Sequence, residues 1–139
     1  MTQENKDLLI RDLCARLQYG VKCKSKYFDN DTLSGIIVDE EETMFNFSVN
    51  NEGFITQLCC SEFKPYLFPL SSMTEEQKND CPINETNLNI MKSNIGYGII
   101  EMPWRLSYLF TDWCNKNHFD YRGLIPMDLA IDATGLNIY

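Results

Sequence analysis

The spacing of apolar residues changes abruptly near residue 20, and that change constrains the fold more than any single motif. In KDLLIRDLCARL the apolar positions are Leu9, Ile10, Leu13, Cys14 and Leu17, spaced i, i+1, i+4, i+5 and i+8. This is the stripe of an amphipathic helix. Lys6, Asp7, Arg11, Asp12 and Arg16 fall mainly outside it, and Gly20 is placed to close it. The period then drops to two. In YGVKCKSKYF, Tyr19, Val21, Cys23 and Tyr27 share one face of an extended chain, and Lys22, Lys24 and Lys26 share the other.

Alternation continues for some fifty residues. DNDT (29 to 32) predicts a turn, LSGIIVDE a second strand, and MFNFSV a third in which Phe45, Phe47 and Val49 alternate with polar Asn46 and Ser48. The acidic run DEEE (39 to 42) and NNEG (50 to 53) predict the intervening turns. FITQLCC reads as a fourth strand and FKPYLFPL as a fifth. Pro65 and Pro69 cannot donate to a ladder, so the fifth is expected at an edge. Short strands joined by turns are expected to form an antiparallel meander that curls.

Helical signals return afterwards. SSMTEEQK holds overlapping capping boxes, Ser72 with Glu75 and Thr74 with Gln77, and Cys81-Pro82 ends the helix they start. Residues 83 to 98 are rich in Asn and weakly periodic, which fits a partly helical connector or a long functional excursion. A further helix starts at Pro103 and carries Leu106, Leu109, Phe110, Trp113 and Cys114 on one stripe, widened by Trp104 and Tyr108. That stripe reads as the face that packs on the sheet. The aliphatic tail GLIPMDLAIDATGLNIY has no clean period and is expected to be tied down against the body. The expected fold is one α+β domain spanning 1–139: an N-terminal helix, a curved antiparallel sheet or small SH3-like barrel of 4–5 strands, and a C-terminal helix packed on the sheet. A chain of 139 residues has length enough for one self-sufficient core.

Charge and cysteine usage narrow the function classes. Twenty acidic against 12 basic residues give a net charge of −8, which disfavours direct binding to a nucleic-acid backbone. The N-terminus MTQENKDLLI does not resemble a signal peptide, and no apolar run approaches the ~20 residues of a membrane span. With no CxxC pair and one histidine, the six cysteines (14, 23, 59, 60, 81 and 114) make no zinc set. They are expected to be reduced thiols, largely packed as small apolar residues of a cytoplasmic protein. Cys59 and Cys60 are adjacent and face opposite sides of a strand, so they make poor partners for one metal. Carboxylate spacing matches no EF-hand or di-metal site, and GYG (96 to 98) is neither a phosphate loop nor a dinucleotide fingerprint. No metal and no cofactor is expected.

Three phrases occur together: LCARLQYGVKC (13 to 23), KPYLFPLSSMTEEQ (64 to 77) and NHFDYRGLIPMDLAIDATGLNIY (117 to 139). In that order they resemble an uncharacterised family of small proteins typical of gut anaerobes of the Bacteroides group and of their phages and prophages. They cover about a third of the chain. The resemblance implies a cytoplasmic protein of a phage, a mobile element or its host, and it implies no mechanism.

The chemistry-bearing stretch is HFDYRGLI, residues 118 to 125. A hydrolase reading would make His118 a general base oriented by Asp120, with Tyr121 and Arg122 binding an anion. No nucleophile motif accompanies it. The simpler reading is structural: His118 at a helix end meeting free carbonyls, Asp120 accepting local amides, Arg122 paired with a carboxylate, and Gly123 permitting a bend. No catalytic residue is therefore assigned. The candidate ligand-binding residues are Lys22, Lys24, Lys26, His118, Tyr121 and Arg122. The lysines would serve beside Arg122 or Lys64, with aromatic side chains to stack on a base. The expected function is non-enzymatic docking on an unidentified host or phage protein, with inhibition of a host defence component as one purpose the family setting suggests. The alternative is a protein that binds and sequesters a small molecule or nucleotide. Edge strands leave homodimerisation open.

Overall fold

Thr2 accepts a hydrogen bond from the amide of Asn5 (3.2 Å) and opens helix α1, Gln3–Arg16. The hydroxyl satisfies one of the amides that a first helical turn leaves unpaired. The computed structural model describes residues 1–38, 42–49, 54–93 and 104–139. The turns expected at DEEE and NNEG, the NIGYGII stretch and the helix start at Pro103 lie wholly or mainly outside the described residues.

A 3-10 turn, Leu17–Tyr19, extends α1, and Gly20 ends it with a left-handed φ of 68°. Glycine adopts that conformation without steric cost. Strands β1 (Lys22–Ser25), β2 (Asp31–Val38), β3 (Thr43–Val49) and β4 (Phe54–Cys59) follow as an antiparallel meander. A register shift between Leu33 and Gly35 bends β2. Strand β5 (Phe63–Pro69) returns to pair antiparallel with β1. Two short strands, β6 (Phe119–Asp120) and β7 (Ile131–Asp132), then pair parallel with β5. The order is β4-β3-β2-β1-β5-β6, with β7 also on β5. The chain is therefore α+β with a mostly antiparallel sheet. The sheet is open, so of the two expected forms the closed SH3-like barrel does not hold.

Two expectations about strands are corrected. β5 lies inside the sheet rather than at its edge. It tolerates its prolines because the second flank is covered only by short pieces: β7 at Tyr66 and Leu67, and β6 at Phe68 and Pro69. Pro65 faces Cys23 of β1 and precedes both pieces. The second correction concerns β1, which stops at Ser25. Its side-chain oxygen accepts the amides of Tyr27 (2.9 Å) and Phe28 (3.3 Å). The chain turns there, so Lys26 and Tyr27 leave the two-residue alternation and Tyr27 is exposed.

One core lies between α1 and the inner sheet face. Leu9 and Leu13 pack with Val21, Cys23, Leu33, Phe45, Phe47, Leu58, Phe63 and Leu67. Phe63 meets Phe45 and Phe47 edge-on, with ring centroids 5.1 and 4.8 Å apart. Burying each such ring contributes about 1.5–3 kcal/mol. Leu124, Leu129 and Ala130 of the irregular tail close the same core, so the tail is tied down as expected.

A second core gathers the later helices. Helix α2 (Glu75–Asp80) starts at a capping box of Thr74 and Gln77 and stops at an extended Cys81 before Pro82. Ser72 is not a second cap; its hydroxyl donates to the Pro69 carbonyl. Asn84, whose side chain accepts from the Asn87 amide at 2.9 Å, caps helix α3 (Glu85–Ser93). Thus the described part of the Asn-rich segment is helical. Helix α4 (Trp104–Lys116) brings Phe110, Cys114 and Trp113 to Leu70, Met73, Ile83, Leu88 and Phe119. It packs at the β5–β6 end of the sheet. Its stripe is narrower than expected, because Tyr108 and Leu109 are exposed. The six cysteines are free thiols; Cys23, Cys60 and Cys114 are buried and Cys14 is exposed.

Candidate functional site

The side of α1 that turns inward differs from the apolar stripe. The fully buried positions are Leu9, Asp12, Leu13 and Arg16, at i, i+3, i+4 and i+7, while Cys14 faces solvent. Arg16 grips Asp12 in two places, Nε to Oδ2 at 2.6 Å and Nη2 to Oδ1 at 3.1 Å. Its remaining donors reach the Cys114 carbonyl (3.3 Å) in the last turn of α4 and the Phe119 carbonyl (2.9 Å). Burial works to lower the Arg16 pKa, but the Asp12 carboxylate outweighs it and the net shift is upward. One guanidinium thereby ties α1 to the end of α4 and to β6.

HFDYRGLI wraps around this pair. Arg122 Nε lies 3.2 Å from Asp12 Oδ1, an ion contact rather than an aligned hydrogen bond. Two guanidiniums lie over the Tyr121 ring, Arg16 5.5 Å and Arg122 4.8 Å from its centroid. Asp120 spends both oxygens on backbone. Oδ1 accepts the amides of Gly123 (2.8 Å) and Leu124 (2.9 Å), and Oδ2 accepts that of Ile125 (2.8 Å). Gly123, at φ 78°, makes the bend that aims those amides.

His118 does not meet helix carbonyls through its ring. Its backbone takes the left-handed conformation (φ 58°) just past α4, and its carbonyl accepts the Phe68 amide. The ring stacks on Tyr139, centroids 3.9 Å apart and 11° from parallel. It is 8% exposed and Nδ1 has no hydrogen-bond partner. Burial, aided by the Arg16 charge, lowers its pKa from 6.5 to about 4. The imidazole is thus neutral at physiological pH, and Asp120 is not bonded to it. The geometry does not assemble the base–orienter pair that the hydrolase reading requires.

Tyr139 is bonded as firmly as it is stacked. Its hydroxyl accepts the Lys22 amide (3.0 Å) and donates to the Tyr66 carbonyl (2.8 Å). The β1–β5 register pairs Cys23 with Pro65, so Lys22 and Tyr66 would be the next pair. The phenol oxygen bridges the ladder where the strands part. Burial raises its pKa, so it stays a donor.

The lysines fall elsewhere. Lys24 stands directly opposite Lys64 across the β1–β5 ladder. Both line a shallow depression of about 230 Å³ with Ser25, Lys26, Ser61, Glu62, Phe63 and Ile131. Lys24 pairs with Asp29 (2.9 Å) and Lys64 with Asp128, and both aspartates are almost fully exposed. Lys26 lies over the Tyr27 ring, 4.7 Å from its centroid. The Glu62 carboxylate accepts the Cys59 amide (3.0 Å) and thiol (3.3 Å), and these bonds lower its pKa. Lys22 is half-buried and does not line the depression.

The six candidate residues therefore divide. Lys24 and Lys26 come together with Lys64 at the surface. His118, Tyr121 and Arg122 come together around Asp12 and Arg16 inside. Only the Lys22 amide links the groups, through Tyr139. Asp12, Arg16 and Tyr139 were missed as members of the inner cluster. The available signal was the i, i+4 spacing of Asp12 and Arg16 beside Leu9 and Leu13; for Tyr139 there was none. Among the described residues no group of three or more His, Cys, Asp or Glu is placed to hold a metal ion, and no helix is long and apolar enough to cross a membrane. Comparison with protein-family models, curated proteins and solved structures returns no match.

Proposed function

We propose that the chain is a non-enzymatic accessory protein that docks on another protein, in a phage or mobile-element setting. The observation that carries this reading is the internal use of the chain's acid–base side chains. Asp120 is saturated by three amides, His118 is buried and stacked, and Arg16 and Asp12 satisfy each other and nearby backbone. Groups so engaged are poor general acids and bases, because protonation or deprotonation would break packing. What the surface offers instead is contact area: Ile37 and Val38 at the end of β2, and Tyr108 and Leu109 on α4. The phage setting, and inhibition of a host defence component as its purpose, come from the family resemblance of the three phrases.

Native mass spectrometry of the protein gently purified from its natural host, before and during phage infection, tests the reading. A retained protein mass that is lost on Leu109→Lys or Val38→Lys is the expected result. A bare monomer under both conditions would remove the proposal. A second reading, sequestration of a nucleotide or similar small molecule, is favoured by the meeting of Lys24, Lys26 and Lys64 in one depression. A retained mass of a few hundred daltons would favour it.

A further inference from the structure

The depression between β1 and β5 concentrates charge of the sign the protein otherwise lacks. Its lining has three lysines and one glutamate, an excess of two positive charges before the rim carboxylates of Asp29 and Asp128 are counted, in a chain of net charge −8. Two of those lysines are directly opposed across the ladder, where like charges repel. A strand pair under structural pressure alone gains nothing from that opposition. The counterions that relieve it lie at the rim: the Asp29 and Asp128 carboxylates are 86% and 91% exposed. Ion pairs that open to solvent contribute little and part easily. An incoming anion can therefore replace them.

The site is built on fixed backbone. The ladder sets Lys24 against Lys64. The Ser25 side chain, by accepting two amides, holds the bend that carries Lys26 and Tyr27. Phe63, which also lines the depression, anchors this part of β5 through its ring in the first core. Glu62 is drawn aside by its bonds to Cys59. Tyr27, next to Lys26 in the chain, is 61% exposed; Lys26 Nζ lies over its ring at 4.7 Å, and a base can stack on the aromatic surface that the ammonium leaves open or vacates for phosphate.

We infer that Lys24, Lys26 and Lys64 bind the phosphate of a small phosphate-bearing molecule, with Tyr27 receiving an attached base. A phosphate dianion supplies the two negative charges that the rim aspartates give up when they are displaced, and a depression of about 230 Å³ has room for a phosphoryl group. The inference rests on the second reading above and gives it a site and a ligand class. Nucleotide and inorganic phosphate share the recognised group, and the experiment separates them.

Amide chemical shifts and calorimetry are recorded with AMP, inorganic phosphate and adenosine at about 150 mM salt, where exposed charges are screened beyond ~8 Å. AMP is expected to shift residues 24–27 and 61–64, and adenosine alone to shift them little. Lys24→Ala and Lys64→Ala should each weaken AMP at least tenfold, and the double variant should abolish binding. Lys116→Ala, on the exposed side of α4, should leave it unchanged. Tyr27→Ala should weaken AMP and spare phosphate; unchanged binding of both would overturn the role of Tyr27 and assign the site to the phosphate group alone. Binding that survives the double lysine variant overturns the site while sparing the sequestering reading. No response to AMP or phosphate overturns both.

Discussion

Asp12 and Arg16 are entirely buried, whereas Lys24 and Lys64 lean on aspartates that stand almost wholly in water. Both places hold opposite charges at ion-pair distance, yet water separates their roles. Around Arg16, which has no exposure to solvent, four hydrogen bonds reach one carboxylate and two backbone carbonyls. Removing either partner there strands a charge in a poorly polarisable interior. Around Lys24 the solvent competes for every contact, so the pair holds nothing in place and remains open to exchange. The same chemistry specifies the fold in one region and leaves solvent-open, exchangeable ion pairs in the other.

The comparison breaks first, and most visibly, at Arg16. Arg16→Ala leaves Asp12 buried beside a partly exposed Arg122 and should destabilise the chain by about 3–5 kcal/mol in urea titration. A loss below 1 kcal/mol would put the inner pair in the same class as the outer ones. Next comes Asp120→Ala, which orphans three amides at once. It should cost about 3 kcal/mol, with Asp120→Asn recovering part, as read by thermal unfolding.

The third test uses pH. Folding lowers the His118 pKa from 6.5 to about 4, so between those values the unfolded chain binds the extra proton. The stabilisation by the neutral ring is fully present above pH 6.5 and is lost as pH falls towards 4. The loss should be on the order of 2 kcal/mol. His118→Asn, which tolerates the left-handed backbone, should flatten that slope in denaturation curves taken across the window. Tyr139→Phe keeps the ring and deletes the bridging hydroxyl; it should cost about 1–2 kcal/mol by calorimetry. At the small end, Lys24→Ala and Lys64→Ala should each leave the unfolding midpoint unchanged within error, because their pairs are exposed.

Legibility in the sequence followed the range of the interaction. The capping box at Thr74, the left-handed Gly20, the inward Phe45 and Phe47, and the saturation of Asp120 by amides up to five residues away could all be read locally. So could the pairing of Arg122 with some carboxylate, though not with which one. The stripe of α1 misled because hydrophobicity marks which side chains avoid water, not which charges have found partners. Asp12 and Arg16 are inside only because the far end of α4 and residues 119 to 122 arrive to satisfy them.

The sequence alone determined the class of object: an α+β chain with an antiparallel meander, an N-terminal helix and a tied-down tail. These follow from period, turn chemistry and caps, which act over a few residues. The tertiary structure decided that β5 is interior, that the sheet stays open, and that the six candidate residues belong to two places. It also decided that the single histidine is neutral and stacked on Tyr139, twenty-one residues further along the chain. Each of those outcomes depends on what a distant segment brings to a side chain: a ladder partner, a counter-charge, or the exclusion of water.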